Sequence, residues 1–168
     1  WLTYAAELGN QFAQYRLGKL LLKGDDGIPK DVITAIRWLT AAAKQENGYA
    51  EYALALVYLT GEDAPKDSVK ALSLLKRSAG RGNQFAQYRL GKLLLQGEDA
   101  PKDVKAAIRW LTAAAEQGNQ YAQYALGKLY LLGKEVPKDR SSAIKWFQLA
   151  ADQGNEYAQY FLKHMDDR

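Results

Sequence analysis

The sequence predicts an all-α protein, a right-handed α-solenoid of antiparallel helix pairs. Three observations predict it: an internal repeat of 36 residues, apolar residues at helical spacing inside each copy, and capping residues at matching points of every copy.

The repeat is read directly. GNQFAQYRLGKLLLKG starts at Gly9, ENGYAEYALALVYLTG at Glu46, GNQFAQYRLGKLLLQG at Gly82, GNQYAQYALGKLYLLG at Gly118 and GNEYAQYFLKHM at Gly154, with offsets of 37, 36, 36 and 36. The extra residue lies in the loop GDDGIPKD, where the second and third copies have GEDAPKD. Lengthening a loop by one residue costs little entropy. A second segment alternates with the first: DVITAIRWLTAAAKQ from Asp31, DSVKALSLLKRSAGR from Asp67, DVKAAIRWLTAAAEQ from Asp103 and DRSSAIKWFQLAADQ from Asp139. The opening WLTYAAELG matches the end of that second segment. The expected organisation is residues 1–8 as the second helix of a truncated preceding repeat, repeats at 9–45, 46–81, 82–117 and 118–153, and residues 154–168 as the first helix of a terminal half repeat. With no initial Met and an opening in mid-pattern, the chain is expected to be an excised segment.

Each helix carries its own punctuation. Asn10, Asn47, Asn83, Asn119 and Asn155 stand where a side-chain oxygen can cap the first amides of a first helix. Gly24, Gly61, Gly97 and Gly133 follow its last apolar turn, and Pro29, Pro65, Pro101 and Pro137 lie in the loop beyond. Asp31, Asp67, Asp103 and Asp139 then cap the second helix and place negative charge at its N-terminus. Gly82, Gly118 and Gly154 close the second helices.

Apolar spacing agrees. Ala13, Leu17, Leu20 and Leu21 recur at helical intervals in the first helix, as do Ala35, Ile36, Leu39, Ala42 and Ala43 in the second. One hairpin cannot cover both of its apolar faces, but stacked hairpins cover each other. Gly18, Gly91 and Gly127, with Ala55 in the second copy, let helix backbones approach closely. Ala42/Ala43, Ala114/Ala115 and Ala150/Ala151 do the same at the next contact.

The pattern A-Q-Y-x-L-G-x-L-Y, then G, P-K-D, K-A-I-x-W and A-A-x-Q-G resembles the Sel1-like repeat, a relative of the tetratricopeptide repeat. The resemblance covers the whole chain. The second copy departs most, with Ala55 for glycine, Leu74 for tryptophan and Ser78 for alanine. The wording GNQYAQYALGKLYLLGKEVPKD and GNEYAQYFLKHMDD is also similar to Sel1-like arrays at the C-terminal end of mobilisation relaxases of Gram-positive bacteria. That likeness implies a docking arm, since no catalytic His or Tyr motif of a relaxase can be located in the chain.

The resemblance implies a function: a non-catalytic scaffold that binds a peptide or partner protein. In the tetratricopeptide family the first helices line the concave side that receives the ligand. Matching Leu17-Gly18 to that family's Leu-Gly pair puts Phe12, Tyr15, Lys19 and Leu22 on this side in the first copy. The same match gives Tyr49, Tyr52, Leu56 and Leu59, then Phe85, Tyr88, Lys92 and Leu95, then Tyr121, Tyr124, Lys128 and Leu131, with Tyr157 and Tyr160 continuing the line. Two aromatic ladders flanked by lysines suit an extended or helical peptide bearing carboxylates. The competing reading is that these aromatics pack between neighbouring repeats. Trp38, Trp110 and Trp146 are expected to serve repeat packing.

Composition narrows the remaining classes. The 168 residues include no cysteine, which excludes disulfides and thiolate metal sites. A net charge of +4 is mild, so nucleic acid ranks behind an acidic protein partner, and no apolar stretch is long enough to span a bilayer. The lack of cysteine and of a visible signal peptide favours the cytoplasm. A carbohydrate or cell-surface role ranks last. No catalytic residues, cofactor or metal site are expected. The single histidine, His164, stands beside Asp166 and Asp167, a weak ligand set. The Gly-Lys pairs lack the spacing of a phosphate loop, and Asp25/Asp26 and Glu62/Asp63 lack that of a calcium loop. Trp1, Leu2 and Leu8 at one end, and Phe161 and Leu162 at the other, are expected to expose apolar faces that pair with another copy in a crystal.

Overall fold

A computed structural model describes residues 1–25 and 27–165. Among them are ten α-helices and no β-strand. The chain forms two compact units, Trp1–Ala86 and Gln87–Arg168. The first holds α1 (Leu2–Glu7), α2 (Gln11–Lys23), α3 (Val32–Lys44), α4 (Gly48–Thr60), α5 (Ser68–Gly80) and the start of α6 (Gln84–Gln96). The second holds the rest of α6, α7 (Val104–Glu116), α8 (Gln120–Leu132), α9 (Arg140–Asp152) and α10 (Glu156–His164). The pairs α2/α3, α4/α5 and α8/α9 pack as antiparallel hairpins, and each hairpin also meets the helix beside it in sequence. This is the α-solenoid class.

One asparagine joins each second helix to the next first helix. In α3 the Glu46 amide donates to the Ala43 carbonyl and the Asn47 amide to the Ala42 carbonyl, which closes the helix in a Schellman turn. The Asn47 side chain then accepts from the Ala50 amide and starts α4. Asn10, Asn119 and Asn155 repeat both roles. The hairpin turns are fixed as regularly. The Asp67 amide donates to the Tyr58 carbonyl and the Asp139 amide to the Tyr130 carbonyl, each at 2.9 Å, tying the start of a second helix to the last turns of the first. In the first hairpin the inserted residue is absorbed by a turn in which Asp25 and Ile28 exchange backbone hydrogen bonds.

The Schellman turn requires a left-handed residue. Gly118 takes φ +91°, and no atom lies within 4 Å of where its Cβ would be. Glu46 occupies the matching point with φ +67°, so a side chain is tolerated there at a conformational cost. Gly118→Ala is therefore expected to lower stability by about 1 kcal/mol through backbone strain alone. Thermal unfolding of the variant would check this, because no steric clash can add to the loss.

The aspartate caps predict an acid response. The Ser142 hydroxyl donates to Asp139 at 2.6 Å and the Ser142 amide at 3.1 Å, holding that carboxyl below its usual range. Hydrogen bonds from Thr34, side chain first, lower the Asp31 carboxyl likewise. A carboxyl with a depressed folded pKa contributes stability that is complete above its unfolded value and is lost as pH falls through the folded one. Stability is therefore expected to drop below about pH 4. In Asp31→Asn/Asp139→Asn, which keeps cap acceptors but removes the titration, melting curves should show a shallower acid slope.

Each core is built from small residues against leucine. Leu39, Leu75, Leu111 and Leu126 are fully buried, as are Ala35, Ala71, Ala107 and Ala143. The small-residue reading of the sequence holds in detail. A Cβ on Gly18 would lie 2.6 Å from Leu39 Cγ, one on Gly91 2.7 Å from Leu111 Cγ, and one on Gly127 2.6 Å from Phe147. The close approach is between the two helices of one hairpin. Trp38 packs against Ala6, Ala13 and Leu17, and Trp146 against the cluster of Leu111, Ala114 and Leu126, so both indoles seal neighbouring repeats.

A polar seam runs beside the cores. Gln45 Nε2 donates to Gln14 Oε1 at 2.9 Å, Gln117 to Gln87 at 2.7 Å and Gln153 to Gln123 at 2.9 Å. Gln14 and Gln123 in turn donate to the carbonyls of Ala6 and Ala115 on the preceding second helix. The second repeat replaces this pair with Glu51 and Arg81, joined at 3.0 Å. A carboxylate cannot donate to the preceding carbonyl. Arg77 does so instead, reaching the Ala43 carbonyl at 3.3 Å and Glu51 at 2.7 Å. Burial opposes the charge on Arg81, but hydrogen bonds from it to Glu51 and Glu46 raise its pKa above the usual value. Ser78 belongs to the same exchange, since its hydroxyl donates to the Gly48 carbonyl at 2.6 Å.

Both chain ends were expected to expose apolar residues. Trp1 and Leu8 are exposed, and Leu2 is half-buried against the first core. At the other end Phe161 stacks flat on Phe147 at 5.2 Å and Leu162 packs beside it. The exposed apolar side chains there are Tyr157 and Tyr160. α10 packs against α9, which covers its inner side.

Candidate functional site

Each unit carries a face made by first helices. In the first unit Tyr15 lies 5.8 Å from Tyr49, and Tyr52 lies 6.3 Å from Phe85, between ring centroids. In the second unit Tyr88 lies 6.0 Å from Tyr121, and Tyr124 lies 5.9 Å from Tyr157. The two ladders are thus one set of cross-repeat pairs: the tyrosine of one first helix meets the leading aromatic of the next. These distances are typical of attractive ring contacts.

The members of each pair differ in exposure. Tyr15, Tyr52, Tyr88 and Tyr124 are half-buried. Tyr49 and Tyr121 keep 54% and 55% of their surface, and Phe12 and Phe85 are also exposed. Packing between repeats and an open aromatic surface therefore coexist. Burial, and then the neighbouring Tyr157, push the Tyr124 phenol above its usual pKa.

Lysines flank the rings. Lys19 lies over Tyr15 at 5.8 Å, Lys92 over Tyr88 at 5.7 Å and Lys128 over Tyr124 at 5.7 Å. The four-residue spacing brings each ammonium above the ring one turn earlier on the same helix. Of the leucines placed on this side, Leu22, Leu95 and Leu131 are half-buried, whereas Leu59 is buried.

In the second unit these residues meet in a cavity of about 340 Å³. It is lined by the aromatic Tyr88, Tyr121 and Tyr124, the apolar Leu95, Ala125 and Leu129, and the basic Lys92, Lys128 and Lys134. In the first unit Phe12 and Tyr49 border a smaller cavity of about 260 Å³ with Arg81 and Asn83. Sequence spacing did not reveal Lys134, which lies in the α8–α9 loop, or Glu135 beside it. Glu135 is paired with Lys102 at 2.7 Å, a loop-to-loop contact whose equivalent in the first unit joins Lys30 to Asp63.

The metal reading of His164 with Asp166 and Asp167 falls partly outside the described residues. His164 itself stacks on Tyr160 at 4.2 Å, with Nδ1 2.8 Å from the Tyr160 carbonyl. Among the described residues no helix is long and apolar enough to cross a membrane.

Paired helices, shared asparagine caps and cross-repeat packing define an α-solenoid of repeated hairpins. The chain belongs to the Sel1 repeat family, which it matches over residues 11–47, 48–83, 84–119 and 120–155. Sel1 repeats are in general protein-interaction scaffolds. Solved structures agree. A protective antigen present in uropathogenic Escherichia coli strains, which displays this repeat fold, is 35% identical over 98% of the chain with a TM-score of 0.93. A Sel1 repeat protein from Oxalobacter formigenes is also 35% identical over 98% of the chain, with a TM-score of 0.89. The chain spans 35% of the first of these proteins and 48% of the second. A Sel1 repeat protein from Klebsiella pneumoniae is 26% identical over 95% of this chain and 76% of its own, with a TM-score of 0.67. No curated protein matches the chain.

Proposed function

We propose that this chain is a non-catalytic scaffold that binds a peptide or partner protein on the face of its first helices. The observation that supports the reading is the pairing of half-buried with exposed aromatics, each pair beside a lysine or leucine. Half-buried tyrosines are already ordered by their neighbours, so a partner gains rigid contact area at little further entropic cost. Distribution of similar side chains over every repeat suits an extended ligand better than a single reacting centre, which needs one unique constellation.

A peptide array probed with the purified chain tests the proposal. Bound sequences should be apolar with acidic flanks. Tyr88→Ala/Lys92→Glu should weaken their binding by about tenfold or more, as expected for an interface anchor, while circular dichroism retains the helical signal. An array that yields no reproducible binder at all would remove the scaffold reading. Binding that survives the double variant would move the partner to another face.

A further inference from the structure

The two units do not offer the same chemistry. At the point one turn beyond the half-buried tyrosine, successive repeats carry Lys19, Leu56, Lys92 and Lys128. In the first unit one lysine is therefore followed by leucine. In the second, Lys92 and Lys128 stand on α6 and α8 and line one cavity with Lys134. Glu135, which lines the same cavity, is paired with Lys102. Three lysines thus line one cavity with the apolar Leu95, Ala125 and Leu129.

Resting on the scaffold reading above, we infer that the cavity of the second unit is an acid-selective anchor pocket: it takes a large apolar side chain of a partner peptide whose flanking residues are carboxylates. The volume of about 340 Å³ lies at the lower end for a binding pocket and suits one anchoring side chain with part of its backbone. The aromatic side chains supply contact area, and the lysines decide between acidic, neutral and basic flanks. The first unit, with Leu56 between its tyrosines, lacks the paired charge and does not make this selection.

Fluorescence anisotropy with three labelled heptapeptides tests the inference. Each has a central phenylalanine, flanked by glutamates in the first probe, glutamines in the second and lysines in the third. The acidic probe is expected to bind about tenfold more tightly than the glutamine probe, a gap that two lysine charges can supply, and to weaken with added salt. Lys92→Glu/Lys128→Glu should abolish that preference, whereas Lys105→Glu, at an exposed lysine of the second helix α7, should leave it intact. Equal affinity for all three probes overturns the inference, as does an equal loss in Lys105→Glu, or no binding of the acidic probe. Tighter binding of an oligothymidylate at the same lysines assigns the pocket to nucleic acid and also overturns it. Loss of preference without loss of array binders would leave the scaffold reading standing, and the two failures are thereby separable.

Discussion

Replacement of both Arg77 and Arg81 by alanine is expected to lower stability by about 3 kcal/mol or more, because it strips the counter-charges from a buried carboxylate. Glu51 has 0% of its side chain exposed, and these arginines are the cations paired with it. The loss should appear as a fall of roughly 6–12 °C in melting temperature for a chain of this size. A second substitution set separates charge from packing. Glu51→Gln with Arg81→Gln restores the glutamine pair seen at Gln14/Gln45, Gln87/Gln117 and Gln123/Gln153, and should melt close to the parent. If the double-alanine variant melts like the parent, the ion cluster contributes nothing and the account of the second repeat is wrong.

Gly91→Leu is expected to cost about 3 kcal/mol through overpacking. The first added atom would already lie 2.7 Å from Leu111 Cγ and 3.1 Å from the Ala107 carbonyl oxygen. Leu111 is fully buried and cannot yield without disturbing Ala114 and Leu126 in the same cluster. Gly91→Ala sets the contact against the better helix propensity of alanine, worth about 1 kcal/mol, so it should change stability far less. The second repeat carries Ala55 at this point, which shows that a hairpin can be built around one methyl group. Chemical denaturation of both variants would check the order, and a leucine variant as stable as the alanine one would contradict the tight hairpin contact.

The two predictions concern different kinds of information. Gly91 was legible as a close-approach residue because it recurs in phase with leucine and alanine. Its partner, Leu111 on the facing helix, follows from hairpin geometry. The exchange around Glu51 was not legible. Read singly, Glu51, Arg77, Ser78 and Arg81 are unremarkable departures in the most divergent repeat. Only their placement shows that Arg77 supplies the donor that glutamine supplies elsewhere.

The candidate face divides in the same way. The resemblance to the tetratricopeptide repeat, laid over the repeat spacing, picked out the aromatic and lysine positions along the first helices. It left open whether the rings pack or stand free. The coordinates place each half-buried tyrosine against an exposed aromatic of the next repeat, so both descriptions hold at once. Lys134 and Glu135 come from a loop with no periodicity to read, and join the face only through the turn that follows α8.

What the sequence by itself determined is the local order: helix starts at Asn and Asp, helix ends at Gly, and the small residues that permit close hairpins. These depend on hydrogen bonds and backbone angles within a few residues, and such information is carried by neighbours in the chain. The tertiary structure alone decided the pairings across thirty residues or more, Gln45 with Gln14, Arg81 with Glu51 and Tyr88 with Tyr121. Those contacts depend on the offset between stacked hairpins, which is set by how all the buried side chains fill space together.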